Sequence, residues 1–207
     1  MNDDRKKHWE GVYEGKPFTD VSWYQEFPER SLALIEASGI GRGEAIIDLG
    51  GGASTLVDHL VEGGYRDLTV VDISANGLAQ AQARLGTAAE KVSWVVSNVT
   101  DFRPERTYSL WHDRAVLHFL TDAADRRRYV DVLKSALAPG GNLLLATFGP
   151  DGPLKCSGLE VRRYSIEMMT ELLGPEFELQ YHDLEFHETP AGGMQQFLVT
   201  RWRRTGA

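Results

Sequence analysis

Between Ala45 and Thr147, short apolar runs rich in β-branched residues alternate with segments of helical period, and this alternation restricts the fold more than any other feature of the chain. Ala45–Leu49 (AIIDL) is the first run; Leu56, Val57, Leu60 and Val61 follow at helical spacing until Gly63-Gly64 stops them. Residues 68–71 read as a second strand, and Ser74 as the N-cap of a helix carrying Leu78, Ala81 and Leu85 up to Gly86. Residues 92–96 and 108–112 are the third and fourth strands. Tyr129, Val130, Leu133 and Leu137 mark a helix between Asp122 and Ala138, closed by Pro139-Gly140-Gly141, before a strand at 143–147. Each strand-helix-strand step needs a crossover, and crossovers of this length leave the strands parallel. The expected fold is α/β, a doubly wound Rossmann-like sheet.

Beyond Gly149 the rhythm changes. A loop of Gly and Pro (149–153) precedes a helix with Ile166, Met169, Leu172 and Leu173, then strands at 177–184 and 195–202 joined through Thr189-Pro190-Ala191-Gly192-Gly193. A hairpin closing one edge of the sheet is the economical arrangement. Ahead of the first strand, Pro28 heads a helix carrying Leu32, Leu34 and Ile35, which Gly39, Gly41 and Gly43 end. The 207 residues, 42% hydrophobic and 25% charged, suit one domain over 1–207, with 1–40 an N-terminal helical or lid segment.

A formal charge of −8 argues against broad affinity for nucleic-acid phosphates, and the basic runs Arg126-Arg127-Arg128 and Arg201 with Arg203-Arg204 are expected to be solvated faces. A single cysteine, Cys156, makes no internal disulfide framework and has no metal-finger spacing around it, so no metal is expected. Neither a signal-peptide stretch nor a membrane-length apolar run is present, so a cytoplasmic location off the membrane is expected.

The sequence IIDLGGGAS puts Gly50, Gly51 and Gly52 where the first strand turns into a helix, so backbone can approach a ligand there. A dinucleotide fingerprint would want Gly where Thr55 stands, and Asp48 would face a pyrophosphate badly. That carboxylate suits an ammonium group, such as the methionine end of S-adenosylmethionine (SAM). Asp72 ends the second strand 22 residues after Gly50, where a carboxylate accepts from both hydroxyls of a ribose. An adenosyl ligand is expected.

At these motifs the chain resembles the class I SAM-dependent methyltransferase superfamily over roughly residues 20–203. IIDLGGGAS resembles its first motif, and GYRDLTVVDIS at 64–74 resembles the strand bearing the ribose-binding acid, here Asp72 followed by Ile73. The resemblance implies adenine binding by Asn98 and Val99 in Ser97-Asn98-Val99, with Asp101 the alternative to Asn98, and a seven-stranded sheet whose last strand is antiparallel. The segments WHDRAVLHF (111–119), GPLKCSGL (152–159) and HETPAGGMQQF (187–197) are similar to those of a bacterial subgroup of small stand-alone methyltransferases.

In open α/β sheets the ligand crevice lies at the strand ends around the switch point, which brings in the end of the fourth strand. Asp113 and Arg114 are candidates to hold the methionine end of SAM or to orient an acceptor, the alternative being that they pair with one another. His118 is a candidate general base, since an ordinary His takes a proton at neutral pH; the alternative is a structural His. Trp23 and Tyr24, with Trp9 upstream, either fold over the cleft as a lid whose aromatic faces attract the sulfonium or pack the N-terminal helix onto the core. The expected activity is methyl transfer from SAM, with S-adenosylhomocysteine (SAH) as product, to a small-molecule acceptor. Protein-lysine methylation and a non-catalytic adenosyl-binding partner protein are the alternatives.

Overall fold

All five residues of Ala45–Leu49 are buried, as a strand must be when helices cover both faces of its sheet. This strand, β1, sits inside a seven-stranded sheet. Its order is β3 (Val92–Val96), β2 (Asp67–Asp72), β1, β4 (Tyr108–Arg114), β5 (Leu137–Phe148), β9 (Met194–Arg204) and β8 (Phe177–Glu188). The first five are parallel to one another; β9 runs antiparallel to both strands beside it, β5 and β8. The computed structural model describes residues 2–15 and 17–206.

Neighbouring residues of a strand face opposite sides, and each side has its own helices. Ile46, Leu110 and Leu144 pack with Ile35 of α2 (Glu29–Ala37), Leu56 and Leu60 of α3 (Leu56–Glu62) and Leu78 of α4 (Ala75–Leu85). Ile47, Trp111 and Leu143 pack with Tyr129 and Leu133 of α5 (Ala123–Ala136) and Met169 and Leu173 of α6 (Ile166–Leu173). A further helix, α1 (Asn2–Gly15), precedes this sandwich, and Lys155–Cys156 (β6) with Leu159–Glu160 (β7) form a small separate hairpin. The expected N-cap Ser74 accepts from the Gly77 N–H at 3.1 Å.

The strand expected at 143–147 starts earlier. Leu137, fully buried, already pairs with Tyr108, and residues 138–141 bulge out before Asn142 pairs with Leu110. The Pro-Gly-Gly signal is therefore a bulge inside β5, where the ladder is interrupted and a residue without an N–H is tolerated. Among the described residues, no helix is long and apolar enough to cross a membrane. The chain leaves β1 toward β2 on one side and returns to β4 on the other, so a crevice opens at the C-terminal ends of β1 and β4.

Candidate functional site

The glycine loop lines this crevice. Gly50 and Gly52 have φ of 66° and 37°, in the left-handed region. A Cβ on Gly50 would stand 2.1 Å from Cγ2 of Val116, and one on Gly52 2.5 Å from the Tyr13 hydroxyl and 2.9 Å from Oδ2 of Asp72. No side chain fits at either place. The loop borders a cleft of about 780 Å³, open to solvent, whose walls include Asp72, Ile73, Asn98 and Val99. Asp72 is buried, and its Oδ1 accepts from the Ser74 N–H at 2.8 Å. Burial pushes its carboxyl up to about 7 and the charges of Asp48 and Glu10 add to the rise, while the Ser74 N–H opposes it. The Asn98 amide oxygen accepts from the Thr100 N–H at 3.1 Å, which fixes the turn after β3. Asp101, the alternative to Asn98, is exposed and is not among the residues lining the cleft.

α1 closes over this cleft. Glu10 accepts from the Ser74 hydroxyl at 2.6 Å, the Ala75 N–H at 2.9 Å and the Asn76 N–H at 3.0 Å, so it satisfies donors at the start of α4 that no helical carbonyl reaches. Burial pushes the Glu10 carboxyl up, but these hydrogen bonds outweigh it and hold it below the usual value. Arg5, one turn earlier, pairs with Asp125 of α5 at 3.0 Å. Between these attachments Trp9 meets Trp23 and Phe119 edge-on at 5.6 and 5.0 Å, and Tyr13 meets Trp23 at 6.3 Å. All four rings line the cleft.

A second cavity, about 540 Å³, adjoins the first and shares Trp23, Leu49, Gly50 and Arg114 with it. Asp48, Gly51, Tyr24, Ser31 and His112 line this one. Asp48 and His112 are register partners on β1 and β4. The His112 Nδ1–H donates to Oδ1 of Asp48 at 2.6 Å, because a carboxylate can only accept, and the Ser31 hydroxyl then donates to Nε2 at 2.9 Å. Asp48 thus lines the cavity while His112 and Ser31 hold its carboxylate in place.

The three residues expected on the acceptor side separate. Asp113 and Arg114 do not pair, because adjacent strand residues point to opposite faces. Asp113 is buried beneath the sheet, where it accepts from the Tyr129 hydroxyl at 2.6 Å and the Val116 N–H at 2.9 Å. Burial pushes its carboxyl up to about 6, which those donors limit. Arg114 lines both cavities. His118 has no exposed surface and is not among the residues lining either one; its Nδ1 accepts from the Phe148 N–H at 3.3 Å, and the rings of Phe119 and Phe148 lie 4.5 Å away. Burial, with the Arg114 charge adding, pulls its pKa down to about 3, so it is neutral and carries its proton on Nε2. Ala115 holds a φ of 72° between Arg114 and Val116, an uncommon conformation for a residue with a Cβ, and it too lines the cleft.

Several residues that build the site have no signal in the sequence. Glu10, Tyr13 and Ser31 carry no motif, and each reaches the site by a contact far along the chain, as Glu10 does with Ser74 at a separation of 64 residues. His112 was the more legible, since it stands in WHDRAVLHF beside two charged residues. Among the described residues, no group of three or more His, Cys, Asp or Glu is placed to hold a metal ion.

A family model described as a methyltransferase domain matches residues 46–141, from β1 into the bulge of β5. Nodulation protein S of Rhizobium tropici is 36% identical over 80 residues, which cover 39% of this chain and 33% of that protein. The chain therefore spans about a third of that relative's length. EEF1A lysine methyltransferase 2 of Danio rerio is 24% identical over 190 residues, covering 84% of this chain and 79% of that protein. Among solved structures, the N-methyltransferase NodS of Bradyrhizobium japonicum WM9 in complex with SAH superposes with a TM-score of 0.73 at 19% identity, over 95% of this chain and 98% of that one.

Proposed function

We propose that this chain, which carries a class I SAM-dependent methyltransferase domain, transfers the methyl group of SAM to a small-molecule acceptor. Asp72 carries this reading: it is a buried carboxyl at the end of β2, beside a glycine loop with no room for side chains, in a cleft shared with Asn98 and Val99. These residues fit the cofactor. Asp72 would accept from the ribose hydroxyls, Ile73 and Val99 would enclose the adenine with Asn98 beside it, and Gly50, Gly51 and Gly52 would let backbone approach the ligand. Asp48 would face the ammonium group, oriented by His112 and Ser31, with Tyr24 and Trp23 in the same cavity.

When bound, SAM supplies a methyl group already activated on a positive sulphur. What remains for the protein is to hold an acceptor in line and keep water out, and positioning of that kind contributes much of a rate enhancement. Trp9, Tyr13, Trp23 and Phe119 form an aromatic cover suited to both tasks, with rings whose faces attract a cation. Asp113 and His118 take supporting parts: Asp113 holds the turn after β4 through the Val116 N–H, and His118 backs the cleft wall. Arg114 is left facing the acceptor. An acceptor that is already a good nucleophile needs no base, and none of the residues lining the cleft is a histidine.

A small acceptor is favoured over a protein lysine because α1 is attached on both sides of the cleft, through Glu10 and Arg5. The single buried thiol suits a reducing cytoplasm. The test is calorimetry with SAM, SAH and NAD, followed by incubation with methyl-labelled SAM and fractionated cell extract. Binding of the first two but not NAD, with label in the small-molecule fraction, is expected. Label in protein would replace the acceptor class, and SAH binding without any transfer would make the chain a binding protein.

A further inference from the structure

Arg114 is a cation without an anion. Its Nη1–H donates to the Trp23 carbonyl at 3.0 Å and its guanidinium lies 4.7 Å from the centre of the Phe197 ring, but its Nη2 is sealed from solvent with no hydrogen-bond partner. Among the described residues it forms no ion pair. Glu185 acts on it only from a distance, and its carboxylate accepts from the Gln25 side chain at 3.2 Å instead. The other arginine lining the cleft, Arg5, is already paired with Asp125 at 3.0 Å. A guanidinium withdrawn from water without a counter-charge is costly to keep, and the planar fork of Arg matches a carboxylate in two-point contact.

Where the cation reaches decides which ligand it serves. The cofactor residues Gly50, Asp72 and Asn98 follow β1, β2 and β3, on one side of β4. Arg114 ends β4 and lines the cavity of Asp48 as well as the cleft, but its guanidinium lies on Phe197 of β9, beyond β5 on the other side, and its charge is felt by Cys156 of β6. Trp9 and Phe119 line the cleft but not the cavity of Asp48, and Trp23, which borders both, completes the apolar wall.

We propose that Arg114 anchors a carboxylate on the methyl acceptor, and that the acceptor is a small organic acid with one anionic group and an apolar, ring-sized body. This rests on the methyltransferase reading above. One unpaired arginine in a chain of formal charge −8 matches a single negative charge better than several. Arg114 borders both cavities, and a small rotation of its guanidinium plane turns Nη2 from its sealed position toward the carboxylate, while the aromatic walls take the body of the acid.

The experiment uses the full-length protein saturated with SAH, titrated with benzoate and with benzamide, its uncharged analogue of the same shape. Benzoate should bind about tenfold to a hundredfold more tightly than benzamide, the range of a charge-assisted hydrogen bond. Arg114→Gln should abolish that preference, Arg114→Lys should keep part of it, and both should bind SAH like the unaltered chain. Equal binding of benzoate and benzamide by the unaltered protein overturns the proposal, and that comparison needs no variant to fold. Loss of SAH affinity in a folded Arg114→Gln chain, with 5′-methylthioadenosine still bound normally, also overturns it, because Arg114 would then hold the carboxylate of the cofactor. Failure of the unaltered protein to bind SAH would instead remove the methyltransferase reading on which the proposal stands.

Discussion

On the proposed reading, in which Asp72 holds the ribose, this residue connects cofactor binding to pH. Its carboxyl is pushed up to about 7, mainly by burial, and ribose hydroxyls donate to the ionised form, so the protonated form must give up its proton before the ligand is held. At pH 6 about a tenth of the free protein has Asp72 ionised, and at pH 8 about nine tenths does. SAH affinity should therefore rise about tenfold from pH 6 to pH 8, roughly 1.4 kcal/mol, and level off above. Calorimetry in two buffers of different ionisation enthalpy should detect close to one proton released per SAH at pH 6 and little at pH 8. The same shift acts on stability with the opposite sign to the usual carboxylate. Because the folded pKa lies above the ordinary value, the contribution of Asp72 is present below about pH 4 and is lost as pH rises through 7, by about 4 kcal/mol for a shift of this size. Asp72→Asn keeps an oxygen for the Ser74 N–H and removes the charge. It should melt higher than the parent at pH 8, bind SAH about tenfold to a few hundredfold more weakly, and lose the pH slope. A folded Asp72→Asn chain that keeps the slope, or a parent whose SAH affinity is flat from pH 6 to 8, would refute the reasoning.

Three further outcomes are expected. Glu10→Ala removes three hydrogen bonds to the start of α4, worth about 1–3 kcal/mol of helix docking; SAH affinity should fall, tryptophan emission should shift, and limited proteolysis should cut within residues 2–15. In the parent that docking should weaken as pH falls below the usual carboxylate range, since the Glu10 pKa is lowered, and an unchanged cleavage pattern in the variant would count against α1 as a lid. His118→Ala should lower stability by about 2–4 kcal/mol through the cavity it leaves, with SAH affinity nearly intact. Since its folded pKa of about 3 lies below the ordinary value, the parent should lose stability as pH falls from about 6.5 and the variant should lose less; a turnover loss of about 10²–10⁴-fold without destabilisation would instead restore the base role. Cys156 is buried and its thiol is pushed up by that burial, so an aromatic disulfide reagent should label the native protein far more slowly than the denatured one, and immediate labelling would contradict the structure.

The parts of the protein legible in the sequence are those whose physics is local or periodic. A run of buried strand residues, a helical stripe and a glycine loop each declare themselves within a dozen residues, so the alternation from Ala45 onward determined the parallel sheet, and Asp72 followed from its distance along the chain after Gly50. Tertiary structure decided what those local rules leave open. Strand alternation separates Asp113 from Arg114, but which of them meets the cleft depends on β4 lying between β1 and β5 with α5 beneath it, and that sent Asp113 to Tyr129 and left Arg114 lining the cleft. His118 looked like a base because its ordinary pKa suits one; packing against Phe119 and Phe148 buried it and made it neutral. Asp48 reached His112, and Glu10 reached Ser74, across separations of 64 residues each, one through strand register and the other through helix docking. Contacts of that range are chosen by the packing of the whole chain, because the free energy that selects them comes from surfaces that exist only once the sheet and its helices have assembled.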